Sequence, residues 1–230
     1  MLLPEVIVGG YPRSGTSFLC SLIARMGYWP GIYSNLVGAN EFNKLGYWEY
    51  FPIRELAWGL AAYHANNGII YTKPETIPHE TLELADTEVA EQISGIAKRD
   101  NVEVYKDNAL PILYTLYPKD SKYIIIRRNK EAVYQSILKF ERMPHSLVVI
   151  QDGAFWGIPR ENVYQAIDVY RNLEQAMSER VSCLFVYYED FGTDFDAQLC
   201  KIVKFLGIDM DKLNMEKLRS VYCVRNDVKD

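Results

Sequence analysis

The chain has 230 residues, 49% of them hydrophobic, and a formal net charge of −5 from 25 basic and 30 acidic side chains. This length and composition predict one soluble globular domain whose core is large enough to fold without disulfide bonds. The acidic balance argues against nucleic acid or a membrane surface as a general partner, since both attract cationic proteins. No apolar run approaches the ~20 residues that a membrane-spanning helix requires.

The amino-terminus and the cysteines favour a cytoplasmic protein. Residues 1–10 have no basic region, no long apolar stretch and no small-residue cleavage site, so they do not resemble a signal peptide. The cysteines lack metal-ligand spacing and are too few for a disulfide framework. We expect buried, reduced thiols at all of these positions: Cys20, Cys183, Cys200 and Cys223.

Short β-branched runs alternate with amphipathic segments along the chain. The predicted elements are, in order, a strand at 5–8, a helix at 16–26, strands at 102–105 and 123–126, a helix at 163–177, a strand at 183–188 and a helix at 195–206 that ends at Gly207. The run 123–126 is apolar throughout and is therefore expected in the centre of the sheet. Residues 28–66 are rich in turns and aromatic side chains, which indicates an irregular insertion on the acceptor side. The pattern predicts a single α/β domain over 1–230, with a parallel sheet covered by helices on both faces.

A glycine-rich turn joins the first strand to the first helix. Its sequence, GYPRSGTS over residues 10–17, has the spacing of the nucleotide loop G-x-x-x-x-G-K-[ST], but Thr16 stands in place of the lysine. Glycines let successive backbone N–H groups converge, and a helix N-terminus favours an anion. Without the lysine, the loop lacks a contact to β- and γ-phosphates, and Arg13 is the cation within the turn. The turn therefore predicts a phosphate site that is not suited to cleaving a nucleoside triphosphate.

This turn resembles the 5′-phosphosulfate loop of the sulfotransferases, which use 3′-phosphoadenosine-5′-phosphosulfate (PAPS) as donor. The resemblance rests on the run YPRSGTS over 11–17, with arginine at position 13 as in tyrosylprotein and many bacterial members. It implies that Arg13 neutralises charge on the leaving phosphate. It also implies that the 5′-phosphate is held by Ser14, Gly15, Thr16 and Ser17. Phe18 stands where the family often packs an aromatic ring on the adenine, and core packing explains this residue equally well.

A second motif resembles the 3′-phosphate site of the same family. Arg128 follows the strand 123–126, and Ser136 comes eight residues later, as the family's arginine and serine do. A guanidinium offers phosphate a planar fork of donors, and a serine hydroxyl can donate from the facing helix. Asn129 is a good N-cap, so the start of the next helix is expected beside the anion.

Two weaker similarities lie nearer the carboxyl end, and one of them is the run from Phe195 to Gly207, which ends in Phe-Leu-Gly as the family's helix commonly does. The segment YEDF beginning at Tyr188 resembles the family's Tyr-Glu-Asp-Leu, in which the tyrosine lies near the adenine. The cytosolic family's Arg-Lys-Gly element is absent. Arg219 and Arg225 are alternative further contacts to the 3′-phosphate, and either is alternatively a solvated surface charge.

The family's usual catalytic base is replaced in this sequence. Segment 105–108 corresponds to the Lys-Thr-His segment of cytosolic sulfotransferases, and Asn108 occupies the position of the histidine. Lys106 is retained and is expected to help hold the sulfonate. Asp107 is the nearest ionisable alternative base, or else a partner of Lys106.

An aromatic segment supplies another candidate base. Residues 43–49, NKLGYWE, resemble the Asn-Pro-Lys-Gly-Phe-Trp-Glu segment of bacterial sulfotransferases, and a glutamate in this region is the base in some family members. Glu49 lies between two aromatic residues, where partial desolvation would strengthen a carboxylate as a general base. The alternative is a structural carboxylate that pairs with Lys44 or Arg54. The lesser candidates for the base are Glu41 and His145.

The resemblance implies a P-loop NTPase-like domain that moves a sulfuryl group from PAPS to a hydroxyl, releasing adenosine 3′,5′-bisphosphate without a metal. The acceptor is a small molecule, a sugar or a peptide. The aromatic residues at 28–29 and 47–48 suit a planar or apolar acceptor, stacking on a sugar, or core packing. Two alternatives are a small-molecule kinase with an atypical loop, and a nucleotide-binding module made inactive by Asn108.

Overall fold

The computed structural model describes residues 4–39, 43, 45–66, 87–108, 110–141, 154–155, 158–159 and 163–226. The strands are β1 (Val6–Gly9), β2 (Val104–Lys106), β3 (Lys122–Arg127), β4 (Ala154–Phe155), β5 (Ile158–Pro159) and β6 (Cys183–Tyr187). The α-helices are α1 (Thr16–Arg25), α2 (Phe51–Asn66), α3 (Thr87–Arg99), α4 (Leu110–Leu113), α5 (Lys130–Glu141), α6 (Val163–Ser178), α7 (Asp190–Thr193), α8 (Phe195–Leu206) and α9 (Met215–Asn226).

A four-stranded parallel sheet of order β2-β1-β3-β6 forms the centre of the described chain. In register, Val6 pairs with Val104 on one side and with Lys122 on the other. Strand β3 is interior, as its uninterrupted apolar run predicts, because a parallel strand covered on both faces has no exposed side. β4 and β5 form a separate antiparallel pair.

Alternate residues of each strand feed two hydrophobic cores. On one face, Ile7 and Ile125 pack with side chains from α2, α3 and α4. On the other face, Val6, Val8 and Ile124 pack with α1, α8 and α9. Successive side chains of a strand point to opposite faces, so a sheet with two apolar faces needs helices on both. The predicted α/β class, with a parallel sheet between two helical layers, is confirmed.

Several helix boundaries follow from local chemistry. Gly207 ends α8 with φ of 73°, the left-handed conformation that glycine adopts readily. Asp194 caps the same helix by accepting a hydrogen bond from the Ala197 N–H. At the start of α5, the Asn129 side chain accepts from the Ala132 N–H at 3.3 Å, which confirms the predicted N-cap.

Two predictions need correction. The segment 28–66 is irregular only in its first half, because residues 51–66 form α2, whose buried Ile53 and Ala57 pack into a core. The thiols are not uniformly buried: Cys20 is buried and Cys183 half-buried, whereas Cys200 and Cys223 are exposed on α8 and α9. Within the described residues, no helix is long and apolar enough to cross a membrane.

Candidate active site

The predicted site residues come together where the parallel strands end. The turn after β1 carries Arg13, the end of β2 carries Lys106, and the residue after β3 is Arg128. Tyr188 directly follows β6. In open α/β sheets ligands bind outside the carboxyl ends of the strands, so this topology alone gathers the candidates at one edge.

The turn 10–15 has the backbone geometry of an anion-binding loop. Gly10 has φ of 148°, and a Cβ atom there would lie 2.4 Å from the carbonyl oxygen of Ile126. Gly15 has φ of 108°, and a Cβ atom there would lie 2.7 Å from the Tyr188 ring. Only glycine therefore fits these two positions, where the turn passes close to β3 and to the residue after β6.

The amino-terminus of α1 is open to an anion. Gly15 is its N-cap residue and has no side chain with which to satisfy the first N–H groups of the helix. Those groups and the helix dipole favour a negative charge at this point. Thr16 and Ser17 are both buried, and each already engages a residue of the site.

Arg13 adopts a left-handed backbone conformation, with φ of 72°. Its Nε donates a hydrogen bond to Ser136 Oγ at 3.1 Å. The structure thus joins the predicted loop cation to the predicted serine of the second motif, although 123 residues separate them along the chain. A non-glycine residue in this conformation costs of order 1–3 kcal/mol and persists only where its surroundings hold it.

A buried ion pair faces the start of α1. Glu49 Oε1 lies 2.8 Å from Lys106 Nζ, and the two side chains are 7% and 3% exposed. Lys106 Nζ also donates to Ser17 Oγ at 3.2 Å. Arg54 of α2 lies 3.4 Å from the other carboxylate oxygen of Glu49. Glu49, Lys106 and Ser17 therefore form one connected group, and the predicted pairing of Glu49 with Arg54 is observed in addition.

Asn108 connects this group to the phosphate turn. Its Oδ1 accepts from the Thr16 hydroxyl at 3.2 Å, and its Nδ2 donates to Glu49 Oε1 at 3.2 Å. Its backbone oxygen accepts from the Tyr170 hydroxyl at 2.5 Å. The residue at the histidine position thus orients Glu49 instead of acting as a base, since an amide has no proton-accepting nitrogen.

The segment that carries Glu49 lies on α1. Ser17 Oγ donates to the backbone oxygen of Tyr47 at 3.3 Å, and the Tyr47 ring centroid lies 6.0 Å from Lys106 Nζ. Trp48 has φ of 58°, a left-handed conformation that is unusual for a bulky residue. Its backbone oxygen lies 4.0 Å from the Cys20 thiol. Burial raises the pKa of that thiol to about 12, so Cys20 stays protonated beside the site.

Arg128 lies at the other end of the site. Its Nη1 donates to the backbone oxygen of Arg13 at 3.3 Å, and its guanidinium carbon lies 4.9 Å from the Tyr188 ring centroid. Its buried Nε donates no hydrogen bond within the described part of the chain. A carboxylate oxygen of Glu189 is 4.0 Å from this nitrogen, too far for a hydrogen bond.

Two candidate residues have mainly structural contacts. The Phe18 side chain is fully buried and meets the rings of Tyr188 and Phe191 edge to face, which favours core packing over contact with an adenine. Asp107 is buried and accepts a hydrogen bond from the Tyr117 hydroxyl at 2.7 Å. Tyr117 belongs to the core under α2 and α3, so this bond ties Asp107 to that core, whereas Lys106 pairs with Glu49.

The remaining candidates divide into engaged residues and residues outside the description. Arg219 is exposed and pairs with Asp196 of α8 at 2.5 Å, which accounts for its charge. Arg225 lies in α9, and its side chain is outside the described part. Glu41, Lys44 and His145 lie outside the described residues altogether. Among the aromatic residues, the backbone oxygen of Trp29 accepts from the N–H groups of Glu103 and Val104, at the end of β2 opposite to Lys106.

Sequence reasoning missed the positive role of Asn108, because it interpreted the residue only as the loss of a histidine. It also missed Glu174 of α6, a buried carboxylate that lies 2.8 Å from Arg127. A signal was present: Glu174 continues the buried stripe of Val163, Ile167 and Tyr170 at helical spacing. A charged residue on such a stripe must find a buried partner.

Several solved structures are similar to this chain. A sulfotransferase of Alicyclobacillus acidocaldarius matches with a TM-score of 0.50 and 15% identity, over 93% of this chain and 84% of its own. Mouse sulfotransferase SULT7A1 complexed with PAP matches with a TM-score of 0.47 and 19% identity, over 95% of this chain and 62% of its own. Retinol dehydratase in complex with androsterone and PAP matches with a TM-score of 0.48 and 18% identity, over 96% of this chain and 64% of its own.

At these identities the likeness shows the fold alone, and this chain spans less than two thirds of the mouse and retinol dehydratase structures. No curated protein matches the sequence. The sequence profile described as the Sulfotransferase family matches residues 4–212, which is most of the chain and includes both phosphate motifs and the Glu49–Lys106 pair. The protein therefore belongs to the sulfotransferase family.

Proposed function

We propose that this protein transfers a sulfuryl group from PAPS to a hydroxyl group of its acceptor and releases adenosine 3′,5′-bisphosphate. The observation that carries the proposal is the arrangement of two cationic sites around one glycine-rich turn. Arg13 and the open start of α1 form the first, and Arg128 forms the second. A donor with phosphates at both its 5′ and 3′ positions matches two such sites, whereas a nucleoside triphosphate has its charge in one chain.

The residues present fit a 3′-phosphate at the second site. Arg128 Nε is a buried donor without a hydrogen-bond partner in the described residues, and its Nη1 holds the turn at Arg13. A buried donor without a partner costs free energy, which a phosphate oxygen would recover. Ser136, already bonded to Arg13, lies on α5 and supplies a hydroxyl beside the same anion. Tyr188 lies under the Arg128 guanidinium and is the proposed neighbour of the adenine.

Glu49 is the proposed general base. Bound PAPS supplies an electrophilic sulfur with the 5′-phosphate as its leaving group. Lys106 contacts both Glu49 and Ser17, so it is placed to exchange the carboxylate for a sulfonate oxygen at the start of α1. Glu49 then accepts the proton of the acceptor hydroxyl while the new S–O bond forms and the bond to the phosphate breaks. Asn108 and Arg54 hold the carboxylate in place during this step.

Arg13 is proposed to act on the leaving group. The bond to the departing phosphate leaves its electron pair on an oxygen, and a cation held at that point stabilises the developing charge. The hydrogen bond from Arg13 Nε to Ser136 restrains the guanidinium, so the orientation of its other two nitrogens is restrained as well. Ser14, Gly15, Thr16 and Ser17 complete the proposed contacts to the phosphosulfate.

The acceptor is proposed to approach from the side of Tyr47, whose ring lies next to Lys106 and whose chain leads to Glu49. Trp48 follows it in the same segment. Their rings suit an aromatic or apolar acceptor that bears a hydroxyl. Trp29 and its neighbour Tyr28 take no part in this proposal, because Trp29 is hydrogen-bonded at the beginning of β2, whereas Lys106 lies at its end.

Donor identity is tested by product analysis. With 35S-labelled PAPS and a library of phenols, sterols and sugars, we expect label in an organic sulfate ester and release of adenosine 3′,5′-bisphosphate. With γ-32P-labelled ATP and Mg²⁺ we expect no transfer, and a chelator should leave the sulfotransfer intact. Transfer of 32P that needs Mg²⁺ would establish the kinase alternative instead.

Nucleotide binding gives a second test that needs no acceptor. Adenosine 3′,5′-bisphosphate should raise the melting temperature by mass action more than adenosine 5′-monophosphate at the same concentration. Arg128→Ala should remove this difference, because it removes the donors to the 3′-phosphate. Equal stabilisation of the wild type by both nucleotides would show that Arg128 and Ser136 do not form a 3′-phosphate site.

A further inference from the structure

A second buried ion pair lies behind the strand end that leads to Arg128. Glu174 of α6 is 1% exposed, and its Oε2 accepts from Arg127 Nε at 2.8 Å. The Arg127 guanidinium also donates to the backbone oxygen of Arg171 at 3.3 Å and lies 4.2 Å from the Phe185 ring centroid. Arg127 is therefore enclosed between α6 and β6 and directed away from the proposed donor site.

Arg171 extends this pair to the backbone of Arg128. Its Nη2 donates to the Arg128 carbonyl oxygen at 2.6 Å. On the opposite side, the Arg127 carbonyl oxygen accepts from the Tyr188 N–H at 2.8 Å. Two consecutive carbonyl groups are thus held, one by a side chain of α6 and one by the residue after β6. The position of the Arg128 side chain depends on this restrained backbone.

The energetics argue that the pair serves more than stability. Burying two charges carries a desolvation cost that their attraction often only balances, and hydrophobic side chains of similar volume frequently stabilise a protein as well. The helix face around Glu174 is otherwise apolar, with Tyr170 and Met177 buried on it. A charged residue there gives a directional contact to Arg127 that an apolar side chain would not give.

We propose that Glu174 and Arg171 are positioning residues that hold Arg128 in place for the 3′-phosphate and thereby set the preference for a 3′,5′-bisphosphate over a 5′-monophosphate. This inference rests on the proposed function, since it assumes that Arg128 binds the 3′-phosphate. Neither residue touches the nucleotide in this assignment. They act through Arg127 and through the backbone of Arg128.

The same arrangement makes the preference depend on pH. Burial raises the pKa of Glu174 to about 7, although Arg127 and Arg171 lower it. The groups that face Glu174 are Arg127 from β3, Arg171 from its own helix and the Cys183 thiol from β6. Burial raises the pKa of Cys183 to about 12, far from neutrality, whereas the raised pKa of Glu174 lies near pH 7.

The test compares dissociation constants for adenosine 3′,5′-bisphosphate and adenosine 5′-monophosphate by calorimetry at pH 8, where Glu174 is ionised. Glu174→Gln and Arg171→Met should each weaken bisphosphate binding by about tenfold, the effect of losing a charge-assisted hydrogen bond, and leave monophosphate binding unchanged. Arg171→Lys should recover part of the loss, because lysine keeps a cationic donor. In the wild type, the preference should fall as the pH is lowered from 8 to 6.

Glu174→Gln also serves as the control for pH, because the nucleotide phosphates titrate in this range in both proteins and only the wild type has the carboxylate. Met177→Ala is the control for general destabilisation. Met177 is fully buried one helical turn from Glu174, so its loss should lower the melting temperature without changing the ratio of the two dissociation constants. If Arg171→Met does not fold, the nearly isosteric Glu174→Gln decides the matter.

Two outcomes are distinguishable. A wild type that binds both nucleotides equally would overturn the proposed 3′-phosphate site itself. A wild type that prefers the bisphosphate, with the preference lost in Arg128→Ala but unchanged in Glu174→Gln and Arg171→Met, would overturn the positioning role alone.

Discussion

Glu49 and Glu174 form similar ion pairs in two different parts of the molecule. Each has a carboxylate oxygen 2.8 Å from a cationic nitrogen at the end of a strand, Lys106 on β2 and Arg127 on β3. Glu49 lies in front of the strand ends, where Lys106 also contacts the Ser17 hydroxyl at the start of α1. Glu174 of α6 lies behind them, and its partner Arg127 packs on the Phe185 ring.

The difference between the two pairs lies in what can replace each partner. Lys106 contacts Ser17 at the start of α1, and in the proposed mechanism an anionic substrate takes over its charge and releases Glu49 to act as the base. Arg127 is packed against an aromatic ring and a helix carbonyl, so nothing can take the place of Glu174. A carboxylate–cation pair of this kind therefore suits catalysis where its surroundings admit a ligand. It suits the positioning of other residues where its surroundings exclude one.

The sharpest way to separate the two carboxylates is turnover. Glu49→Gln keeps the shape of the side chain but removes its ability to accept a proton. We expect kcat to fall by roughly 10²–10⁴-fold, the usual contribution of a positioned general base, with little change in the affinity for adenosine 3′,5′-bisphosphate. Acceptors with an acidic hydroxyl, such as nitrophenols, should lose less, because their proton leaves more easily.

The matched control is Asp107→Asn, which alters the carboxyl next to Lys106 in the chain, a group that accepts a hydrogen bond from the Tyr117 hydroxyl. It should lower stability more than kcat. Glu174→Gln at saturating donor should retain kcat within a few-fold. An inactive Asp107→Asn beside a nearly unchanged Glu49→Gln would transfer the base to the loop after β2 and end the contrast drawn above.

Arg13, which contacts Ser136 and Arg128, tests whether the proposed chemistry at the Glu49–Lys106 pair extends to the leaving group. Arg13→Asn removes the cation, and asparagine tolerates the positive φ of this position better than alanine does. We expect kcat to fall by about 10²-fold, since the charge is needed most in the transition state. Arg13→Lys should recover much of the rate, and Ser136→Ala should cost less than Arg13→Asn. An effect on KM alone would place Arg13 in ground-state binding.

The Glu174–Arg127 pair should affect how the free energy of unfolding depends on pH. The folded pKa of Glu174 is about 7 against an ordinary 4.5, so the folded state holds a proton that the unfolded state has lost. Relative to Glu174→Gln, the wild type should therefore lose stability as the pH rises from 4.5 to 7, by up to about 3 kcal/mol. Chemical denaturation of both proteins across this range measures the difference. Parallel curves would contradict the raised pKa.

The smallest effect is expected from an exposed ion pair that joins two helices. Lys130 of α5 contacts Asp168 of α6, with side chains that are 34% and 52% exposed. Asp168→Asn should change the free energy of unfolding by no more than about 0.5 kcal/mol, because solvent screens such pairs. A larger loss, measured by denaturation at pH 8, would mean that exposure does not separate weak pairs from strong ones in this protein.

Much of the fold was predictable from local patterns. The apolar runs place four parallel strands within one or two residues of their observed bounds, and Gly207 and Asn129 mark helix ends correctly. The structure corrects the second half of segment 28–66, which forms α2. Its amphipathic signal is weak because the aromatic and small residues do not alternate with charges at a helical period, so tertiary contacts of Ile53 and Ala57 decide the helix.

The candidate site was predictable where a motif is contiguous. The turn 10–17 and the pair Arg128 and Ser136 each carry their own spacing, and both lie at strand ends as expected. The contacts between motifs were not predictable. The Arg13–Ser136 bond and the Asn108–Glu49 bond join residues 123 and 59 positions apart, and no local pattern encodes such a pairing.

The sequence by itself determined the class of fold, the glycine-rich turn after β1 and the set of residue types available for chemistry, because these depend on short-range periodicity and on steric demands of a few backbone positions. The tertiary structure alone decided which carboxylate faces the site. In the sequence, Asp107 and Glu49 are both plausible candidates for the general base. In the structure, Asp107 accepts a hydrogen bond from Tyr117 of the core, while Glu49 pairs with Lys106. The direction of each side chain relative to the sheet is set by the packing of elements that are distant in the sequence, so no local pattern could predict it.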